Sequence, residues 1–592
     1  MCGIVGVWSQ EGKASRKTIG RMVRLISHRG PDGEGYFLAP PIVMGHRRLA
    51  IIDIEGGKQP MSTEDGRYTI AFNGEIYNFV EVRKELEAKG AIFRTRSDTE
   101  VILQGYAVWG ERCLDKMIGM FAFAIWDREE EELFLARDRV GKKPLVYFWD
   151  GKTFAFASET KGLVGAGLFD PKLDAKSVDL FFALGWVPSP LSIFMYVRKL
   201  QPGHFMKFKD GRVEIKRYWF PEKLLSCDKR KKEDRLQDFK SLFANAVNIR
   251  LRSDVPIGIF LSGGIDSSVV ALEAVSQGYS AHALTVFFDH DRIDVNYAVK
   301  VARLLGIPQE CIEVHGNICD DLEDIFWHYD EPFADTSSIP TFYIARAAKD
   351  RFKVILNGDG GDELFGGYRR YERIRMRYFL KRMASCLGLR DGGSNALQIW
   401  FGSRAIFREH ERKALLKGRL AGNILRDFLE EHPFLSALRS RDILKTAMLS
   451  DRSVYLPDDL LYKMDIALSA FGTEGRSPFL DHRLLEWGQS IPSNEIVKGS
   501  EKKLFLRKAM RSRLPDEILD RPKHGFGSPV GEWLRGPLAE MLEEYIPCPL
   551  LEKDPQRELI RRFSRERGAQ NQEKIWCLFA FSVWAKRFNA YF

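Results

Sequence analysis

The stretch Ile259–Ser268, "IFLSGGIDSS", decides the fold of the second half of the chain. An apolar run reaches Ser262, two glycines follow it, and a helical pattern begins near Asp266. A strand that turns through glycines into a helix brings backbone NH groups together, and the helix N-terminus favours an anion. Ser262, Ser267 and Ser268 add hydroxyl donors, and the Asp266 carboxylate suits Mg²⁺. We expect a phosphate-binding loop; the plainer alternative is a Gly-Ser turn that opens a helix.

The segments around this loop alternate between strand and helix patterns. Strand-like "VPIGIFL", "AHALTVFF" and "FKVILNGD" are separated by helix-like "SSVVALEAVSQG" and "NYAVKVARLLG", and a mostly helical remainder follows. This order predicts an α/β domain with a parallel sheet and helical crossovers. The charged stretch "SCDKRKKEDR" indicates a solvated connector, or else the first turn of a helix, and we favour the connector. We place the domains at residues 1–218 and 219–592.

A second acidic loop, "NGDGGDELFGGY", follows the strand-like "FKVIL". The carboxyl ends of parallel strands share one edge of a sheet, so this loop is expected beside the first. Asp362 is placed to share the Mg²⁺ with Asp266, and Asp359 to take or give a proton. A plain Gly-Asp turn is the alternative.

The first two hundred residues have short strand-like runs, such as "YTIAFNG", "MFAFAIWD" and "TFAFASE", and one clear helix, "FVEVRKELEAKG", that ends at Gly90. This pattern predicts an α+β domain of stacked sheets with flanking helices. Cys2 stands directly behind the initiator methionine in "MCGIVGVWS". Removal of that methionine leaves one residue with both a thiol nucleophile and an amine base. The alternative is a small buried hydrophobe in the first strand.

Composition excludes several classes of protein. The net charge of +9 is spread along the chain, so nucleic-acid binding is not indicated. The eight cysteines contain no CxxC pair and no zinc-finger spacing, which suits a reducing compartment. No leader pattern and no apolar run long enough to span a membrane is present, so we predict a cytoplasmic protein without membrane partners.

Motifs from both halves together resemble one family. The loop S-G-G-x-D-S-S is similar to the PP-loop of ATP pyrophosphatases, and no lysine follows its glycines as in GxxxxGK[ST]. The first half adds, in the family's order, "HRGPD" (28–32), "HRRLAIID" (46–53), "NGEIYN" (73–78), "SDTE" (97–100) and "RDRVGKKPL" (137–145). The chain thus resembles the glutamine-dependent asparagine synthetases, in which a class II N-terminal-nucleophile (Ntn) glutaminase is fused to a PP-loop synthetase. The resemblance implies an Ntn-type sandwich followed by a PP-loop domain.

The resemblance implies roles in the glutaminase half. Cys2 is the nucleophile, and Asn73 with the backbone NH of Gly74 forms the oxyanion hole. The remaining glutamine-binding positions are Arg48 for the α-carboxylate, Asp98 for the α-ammonium, and Glu75 nearby. Arg29 is expected to brace the pocket and Asp53 to cap a turn, so neither is placed in the catalytic set.

The resemblance also implies roles in the synthetase half. The ATP-binding positions are Leu261, Ser262, Gly263, Gly264, Asp266, Ser267, Ser268, Val286 and Gly358. Asp266 and Asp362 match the Mg²⁺ ligands of the family. In "EKKLFLR", Lys503 matches the catalytic lysine, with Lys502 as its rival. Arg476 either meets a substrate carboxylate or pairs with Glu474; the motif "RPKHGFGSPVGEWL" is given no role.

One departure from the family concerns the acceptor. Well-studied members have Gly-Glu-Gly-Ser-Asp-Glu where this chain has Gly358–Glu363, so Asp359 replaces a longer glutamate. The aspartate version resembles a branch that includes amidotransferases of polysaccharide pathways. The expected reaction is amidation of a carboxylate through an acyl-adenylate, with ammonia passing from Cys2 along an internal route. Aspartate is the expected acceptor and a uronic acid or other sugar carboxylate the alternative; a glutaminase with a nucleotide-sensing domain is more remote. Likeness alone suggests a homodimer.

Overall fold

The computed structural model describes residues 1–592 except 225–229, 289–292, 387–395, 403, 421, 433, 436–437, 439–441 and 522–527. The strands of the first domain are β1 Gly3–Ser9, β2 Gly33–Ala39, β3 Ile42–Arg48, β4 Met61–Ser62, β5 Tyr68–Ile76, β6 Gly119–Asp127, β7 Glu132–Arg137, β8 Val146–Trp149, β9 Thr153–Ala157, β10 Val197–Lys199, β11 His204–Lys209 and β12 Arg212–Arg217. They form two antiparallel sheets in the orders β10-β8-β9-β1-β3-β2 and β12-β11-β7-β6-β5-β4. The predicted strand-rich domain is therefore confirmed.

Apolar side chains explain why these sheets stack. Trp8 and Phe156 of the first sheet share a buried cluster with Ala124 and Phe208 of the second. Helices cover the outer faces, because Val23 packs on the first sheet and Ile102 on the second. The helices here are Arg16–Leu25, Phe79–Glu87, Asp98–Trp109, Cys113–Lys116, Thr160–Val164 and Ala175–Leu184, with 3-10 turns Ser27–Arg29 and Gly110–Arg112. The result is a sandwich flanked by helices, as the sequence predicts.

The second domain contains a parallel sheet. Its strands are β13 Ile257–Phe260, β14 His282–Phe288, β15 Gln309–Val314, β16 Val354–Leu356 and β17 Glu474–Arg476, in the order β15-β14-β13-β16-β17. Every neighbouring pair is parallel. Strand order reverses between β13 and β16, and in such sheets ligands bind in the crevice at the carboxyl ends there. Both predicted loops leave the sheet at this point.

Sequence analysis did not predict β17. Its three residues, Glu474–Arg476, are buried and include two charged side chains, so they lack the apolar pattern of a strand. They can pair with β16 because Arg476 is neutralised by Glu474 of the same strand and by Glu75 of the first domain. Tertiary ion pairs therefore replace the usual apolar signal at this strand.

Helices make up most of the rest of the second domain. They are Lys232–Arg250, Ile265–Ser276, Ile293–Leu305, Ile318–His328, Ser338–Ala348, Gly361–Phe365, Arg369–Cys386, Ala396–Gly402, Glu409–Leu415, Ile424–Glu431, Ile443–Ser450, Leu461–Ser469, His482–Gly488, Ser493–Ile496, Leu504–Met510, Asp516–Leu519, Val530–Trp533, Ala539–Tyr545, Lys553–Arg565 and Ala569–Arg587, with a π-helix Asp451–Leu460 and 3-10 turns Pro221–Leu224 and Pro478–Leu480. No helix among the described residues is both long enough and apolar enough to cross a bilayer.

Residues 232–235 of the charged stretch, which we predicted to be a solvated connector, are helical in the structure. The helix Lys232–Arg250 begins inside it, so its last residues form a first turn that carries Glu233 and Asp234. Acidic side chains are favourable there because they face the positive end of the helix. Residues 226–229 of the stretch lie outside the described residues.

Candidate active site

Cys2 lies at the start of β1, a strand between β3 and β9 in the first sheet. Its thiol is 3.8 Å from the Leu49 carbonyl oxygen, and Arg29 Nε donates to the Cys2 carbonyl oxygen at 3.0 Å. The residue is partly exposed, and burial of the thiol atom raises its pKa. Cys2 thus lies directly before an interior strand and stays partly exposed, unlike a core hydrophobe.

The Arg29 side chain holds the backbone at Cys2 in place, as the sequence predicts. The guanidinium is fully buried, and it pairs with Glu159 at 2.6 Å and with Asp465 of the second domain at 2.7 Å. It also donates to Ser469 at 3.2 Å. Because one arginine joins Cys2 to both domains, the position of the thiol depends on how the domains dock.

We expect Arg29→Met to lower stability, because Glu159 and Asp465 lose their shared cation and keep only Lys161 and Lys143, respectively, as buried cationic partners. Loss of the sole partner of a buried charge costs about 3–5 kcal/mol, so we expect a smaller cost here, about 2 kcal/mol. The matched control is Arg47→Met, which removes a more exposed pair with Glu34 and is expected to cost under about 1 kcal/mol. Thermal unfolding of both variants makes the comparison. Equal melting temperatures would show that Arg29 does not brace the fold.

Asn73 and Gly74 lie on β5 in the second sheet, and the local geometry suits an oxyanion hole. The Asn73 side chain is fully buried, and neither its amide nitrogen nor its oxygen has a hydrogen-bond partner in the described part of the chain. Gly74 has φ +152°, and a Cβ there would lie 2.1 Å from the Met120 carbonyl oxygen. Only glycine fits this position. A buried amide that lacks a partner is available to a ligand oxygen.

His46 connects this strand to the strand beside Cys2, and sequence analysis missed its role. It lies opposite Ile4 in the register of β1 and β3, and its Nε2 is 3.0 Å from the Phe72 carbonyl oxygen. Burial lowers the pKa of His46 to about 3, so the ring is neutral and donates this bond. The motif "HRRLAIID" was the available signal, but only the register shows which strand the ring reaches.

Arg48 is the last residue of β3, and its side chain is held by the loop that follows, near the predicted glutamine site. Its guanidinium donates to the carbonyl oxygens of Ile54 at 2.6 Å and Asp53 at 2.7 Å. Asp53 has a left-handed backbone, and its carboxylate accepts from the NH groups of Gly56 and Arg96. Asp53 therefore caps a turn, as predicted. Binding of a ligand carboxylate by Arg48 stays a prediction.

Asp98 and Glu75 are both buried near this loop. Asp98 begins the helix Asp98–Trp109 and accepts from the Ile76 NH at 3.0 Å, while burial raises its pKa to about 6. Glu75 pairs with Arg476 of the second domain at 3.0 Å, and Arg476 also pairs with Glu474 at 2.9 Å. The Arg476–Glu474 pair that we predicted as one alternative is present, and the same arginine joins the domains. Ligand contacts of Asp98 and Glu75 stay predictions.

The phosphate-loop residues lie between β13 and the helix Ile265–Ser276. Gly263 has φ +68°, and a Cβ there would lie 2.5 Å from the Ala298 backbone nitrogen. Ser262 and Ser267 hydroxyls are 3.1 Å apart, and Ser268 donates to the Gly264 carbonyl oxygen at 2.8 Å. A cavity of about 700 Å³ opens over this loop. The loop is thus exposed to an open pocket.

The second loop packs directly on the first. A Cβ on Gly358 would lie 2.9 Å from Ser267 N, so only glycine allows this approach. Leu261 is buried at the end of β13, and its NH donates to Leu284 on β14, two residues before Val286. The structure therefore brings the two loops and the strand that carries Val286 together at the carboxyl edge of the sheet.

Lys503 connects Asp266 of the first loop with Asp362 of the second. It pairs with Asp362 at 2.5 Å and also contacts Asp266. Although burial opposes its charge, these carboxylates raise the pKa of Lys503 above its usual range. Lys502 instead pairs with Glu372 at 2.5 Å. The geometry favours Lys503 over its rival.

Asp266 and Asp362 fit a divalent cation by chemistry and space. Both are carboxylates close to one ammonium, and Cβ atoms on Gly361 and Gly367 would meet their oxygens at 2.4 and 1.8 Å. Glycines therefore clear space around these oxygens. No group of three or more His, Cys, Asp or Glu residues in the described ranges is placed to hold a metal without a substrate. Mg²⁺ usually takes one or two carboxylates plus substrate phosphates, so the pair fits that pattern.

Asp359 faces a different cavity, which connects the two domains. This cavity of about 250 Å³ is lined by Met1 and Lys142 of the first domain and by Asp359 and Met464 of the second. Burial raises the pKa of Asp359, and its Oδ2 has no hydrogen-bond partner in the described residues. Sequence analysis missed Lys142, although it lies in the quoted motif "RDRVGKKPL". Only the docked domains show that this motif faces the synthetase site.

Family models match both halves of the chain. The model of the glutamine amidotransferase domain matches residues 1–219, and that of asparagine synthase matches residues 238–586. The chain belongs to the asparagine synthase family. Within the family it is 35% identical to asparagine synthetase [glutamine-hydrolyzing] 1 of Bacillus subtilis, over 99% of this chain and 96% of that protein.

Other relatives carry related names. A putative asparagine synthetase [glutamine-hydrolyzing] of Mycobacterium tuberculosis is 32% identical over 92% of this chain and 89% of that protein. Amidase chyE of Penicillium rubens is 28% identical over 92% and 91%. A solved glutamine PRPP amidotransferase of B. subtilis is 16% identical, covers 60% of this chain and 81% of its own, and has a TM-score of 0.28.

Proposed function

We propose that this enzyme makes asparagine from aspartate, glutamine and ATP, and releases glutamate, AMP and pyrophosphate. Family membership supports glutamine-dependent amidation driven by ATP. The observation that carries the assignment of steps is the cavity from Met1 to Asp359, because it joins the predicted nucleophile's end of the chain to the predicted synthetase site. Hydrolysis at one end and amidation at the other then form one reaction.

The first step releases ammonia at Cys2. After removal of Met1, the Cys2 amine takes the thiol proton and passes it to the leaving nitrogen, while sulfur bonds to the carboxamide carbon. Asn73 and the Gly74 NH stabilise the oxyanion, and water then cleaves the thioester to glutamate. Burial holds the pKa of the Met1 amine at about 5 in this structure. Burial of this kind favours the neutral form of an amine, and the neutral form is the one that can accept the thiol proton.

The second step activates the acceptor carboxylate. Its oxygen attacks the α-phosphorus of ATP at the phosphate loop, and pyrophosphate leaves. Asp266 and Asp362 would hold Mg²⁺, which neutralises charge on the departing phosphates. Lys503 adds a fixed positive charge between the same two carboxylates. Preorganised charge of this kind contributes more to many enzymatic rates than any other single effect.

The third step joins the two sites. Ammonia from Cys2 attacks the adenylated carbonyl carbon, AMP leaves, and a carboxylate at Asp359 takes the excess proton. Burial raises the pKa of Asp359, which makes it a stronger base. Passage through the cavity keeps ammonia from protonation in bulk water.

A sugar carboxylate is the second candidate acceptor. Asp359 stands where well-studied relatives carry a glutamate, so its shorter side chain favours an acceptor or a water that comes closer. A glutaminase that only senses nucleotide is disfavoured, because Lys503 and two aspartates converge at the loop. Homodimer assembly and cytoplasmic location stay predictions.

Pyrophosphate release tests the acceptor directly. The enzyme is incubated with glutamine, ATP and Mg²⁺ and with aspartate, glucuronate or galacturonate in turn. We expect aspartate to give the highest kcat/KM, with asparagine as the product. Faster release with either uronate would assign the second acceptor class, and release that no carboxylate stimulates would reject acyl-adenylate formation.

Met464 offers a test of the passage. Met464→Trp places a larger ring in the cavity wall, so we expect the amide formed per glutamate to fall at least about tenfold, while ammonia-dependent synthesis stays within about threefold. Met464→Leu conserves volume and is the matched control. If Met464→Trp still forms about one amide per glutamate, ammonia takes another route.

A further inference from the structure

A second large cavity lies between the two domains, outside the proposed catalytic steps. About 670 Å³ of space, part of it open to solvent, lies between its walls. Its lining includes Arg139 and His204 from the first domain and Arg452 and Gln489 from the second. No residue assigned above to glutamine, ATP, Mg²⁺ or the acceptor belongs to this lining. The cavity therefore needs its own explanation.

Gln489 is the first sign of a ligand. Its side chain is only 2% exposed, yet neither the amide nitrogen nor the amide oxygen has a hydrogen-bond partner among the described residues. Buried polar groups almost always have a partner, and a water or a ligand that enters the cavity can supply the one that Gln489 lacks. The residue is held in place because its backbone carbonyl oxygen accepts from Lys445. A ligand in the cavity would supply the missing partner.

Arg452 is the second sign. Its Nε donates to the Glu363 carbonyl oxygen at 3.1 Å and its Nη1 to the Leu485 carbonyl oxygen at 3.4 Å. In the part of the chain that the structure describes, no carboxylate lies within ion-pair distance of it. Burial lowers the pKa of Arg452 to about 10. A half-buried guanidinium with carbonyl partners alone leaves its positive charge for an anion.

The charge and polarity of the other lining residues indicate which class of ligand fits the cavity. Arg139 also contributes a positive charge, since its hydrogen-bond partners in the described residues are the carbonyl oxygens of Met117 and Leu114, whereas the lining residue Arg217 is paired with Glu222. Burial lowers the pKa values of His204 and His432 to about 4, so both rings are neutral. The other walls are mostly apolar and are formed by Val140, Pro202, Trp219, Phe434, Leu449 and Leu485. Two arginines that have no carboxylate partner among the described residues, a buried amide and apolar walls match a small acid with an apolar body.

We propose that this interdomain cavity is a binding site for a small monocarboxylate, whose carboxylate meets Arg452 and the Gln489 amide while its apolar body packs against Trp219 and Leu449. A planar guanidinium suits a carboxylate because its NH groups match the two oxygens. The site is distinct from the glutamine and acceptor sites and does not depend on the proposed reaction.

Calorimetry on the full chain tests this site with two acid probes, 3-phenylpropanoate and hexanoate, and with their uncharged amides. We expect each acid to bind in a single event and each amide to bind at least about tenfold more weakly. Arg452→Met should raise the Kd of the acids at least about tenfold. Arg426→Met is the matched control, because Arg426 is half-exposed and lies outside the lining, and it should leave the Kd unchanged.

A second variant keeps the test decisive if Arg452→Met fails to fold. Ser453 lines the cavity and is not fully buried, so Ser453→Phe fills the space without emptying a core position. We expect it to block binding of the acids while circular dichroism stays as in the native protein. Absent binding of both acids, equal affinity for acids and amides, or native affinity in the folded variants would each overturn the proposal.

Discussion

Cys2→Ala is expected to abolish glutamine-dependent amide synthesis while ammonia-dependent synthesis stays within about twofold of the native rate. The variant removes the only atom proposed to bond to the glutamine carbonyl carbon, and loss of a covalent nucleophile typically lowers kcat by about 10³-fold or more. The hydrogen-bond partners of Cys2 in the described residues are Leu49 and Arg29 and not the synthetase loops, so acyl-adenylate formation should continue. Amide formation from glutamine and from ammonium chloride, measured on one preparation, gives both rates.

Cys113→Ala is the matched control, because Cys113 is a fully buried thiol in the same domain with no proposed chemistry. It should keep both activities. If Cys2→Ala still makes amide from glutamine, Cys2 is not the nucleophile. If it loses synthesis from both glutamine and ammonia, Cys2 is needed for folding and its role is structural. Intact-mass analysis adds an independent check, since an active enzyme that keeps Met1 lacks the proposed amine base.

Lys503→Met is the second variant with a large expected effect. We expect pyrophosphate release to fall by about 10²–10³-fold, since a fixed charge aimed at a reacting group is typically worth that much. Glutamine hydrolysis should continue, because Cys2 and its neighbours are untouched. Pyrophosphate and glutamate are measured in the same reaction mixture with Mg²⁺ present.

Lys502→Met is the neighbouring control. Lys502 pairs with Glu372 rather than with the loop aspartates, so its loss should change pyrophosphate release by less than about threefold. The reverse ranking of the two variants would transfer the catalytic role to Lys502. Asp266→Ala extends the test, because it should also end pyrophosphate release while glutamate formation persists.

Local sequence was enough to predict most of the fold. The run of Gly263 and Gly264 between an apolar strand and a helix predicts the phosphate loop, because backbone geometry there depends on nearest neighbours. Alternating strand and helix patterns predict the parallel sheet for the same reason. Where charge replaced apolar residues, at β17 and at the start of the helix Lys232–Arg250, local pattern failed.

By itself, then, the sequence determined the two domain types, the two loops and the candidate residues within each. Only the tertiary structure decided which of two adjacent lysines meets Asp266 and Asp362, that Arg29 and Arg476 join the domains, and that Met1 and Asp359 share one cavity. These features depend on contacts between residues hundreds of positions apart. No local pattern of hydrophobicity or turn chemistry encodes such distances, because they are set by how two complete cores dock.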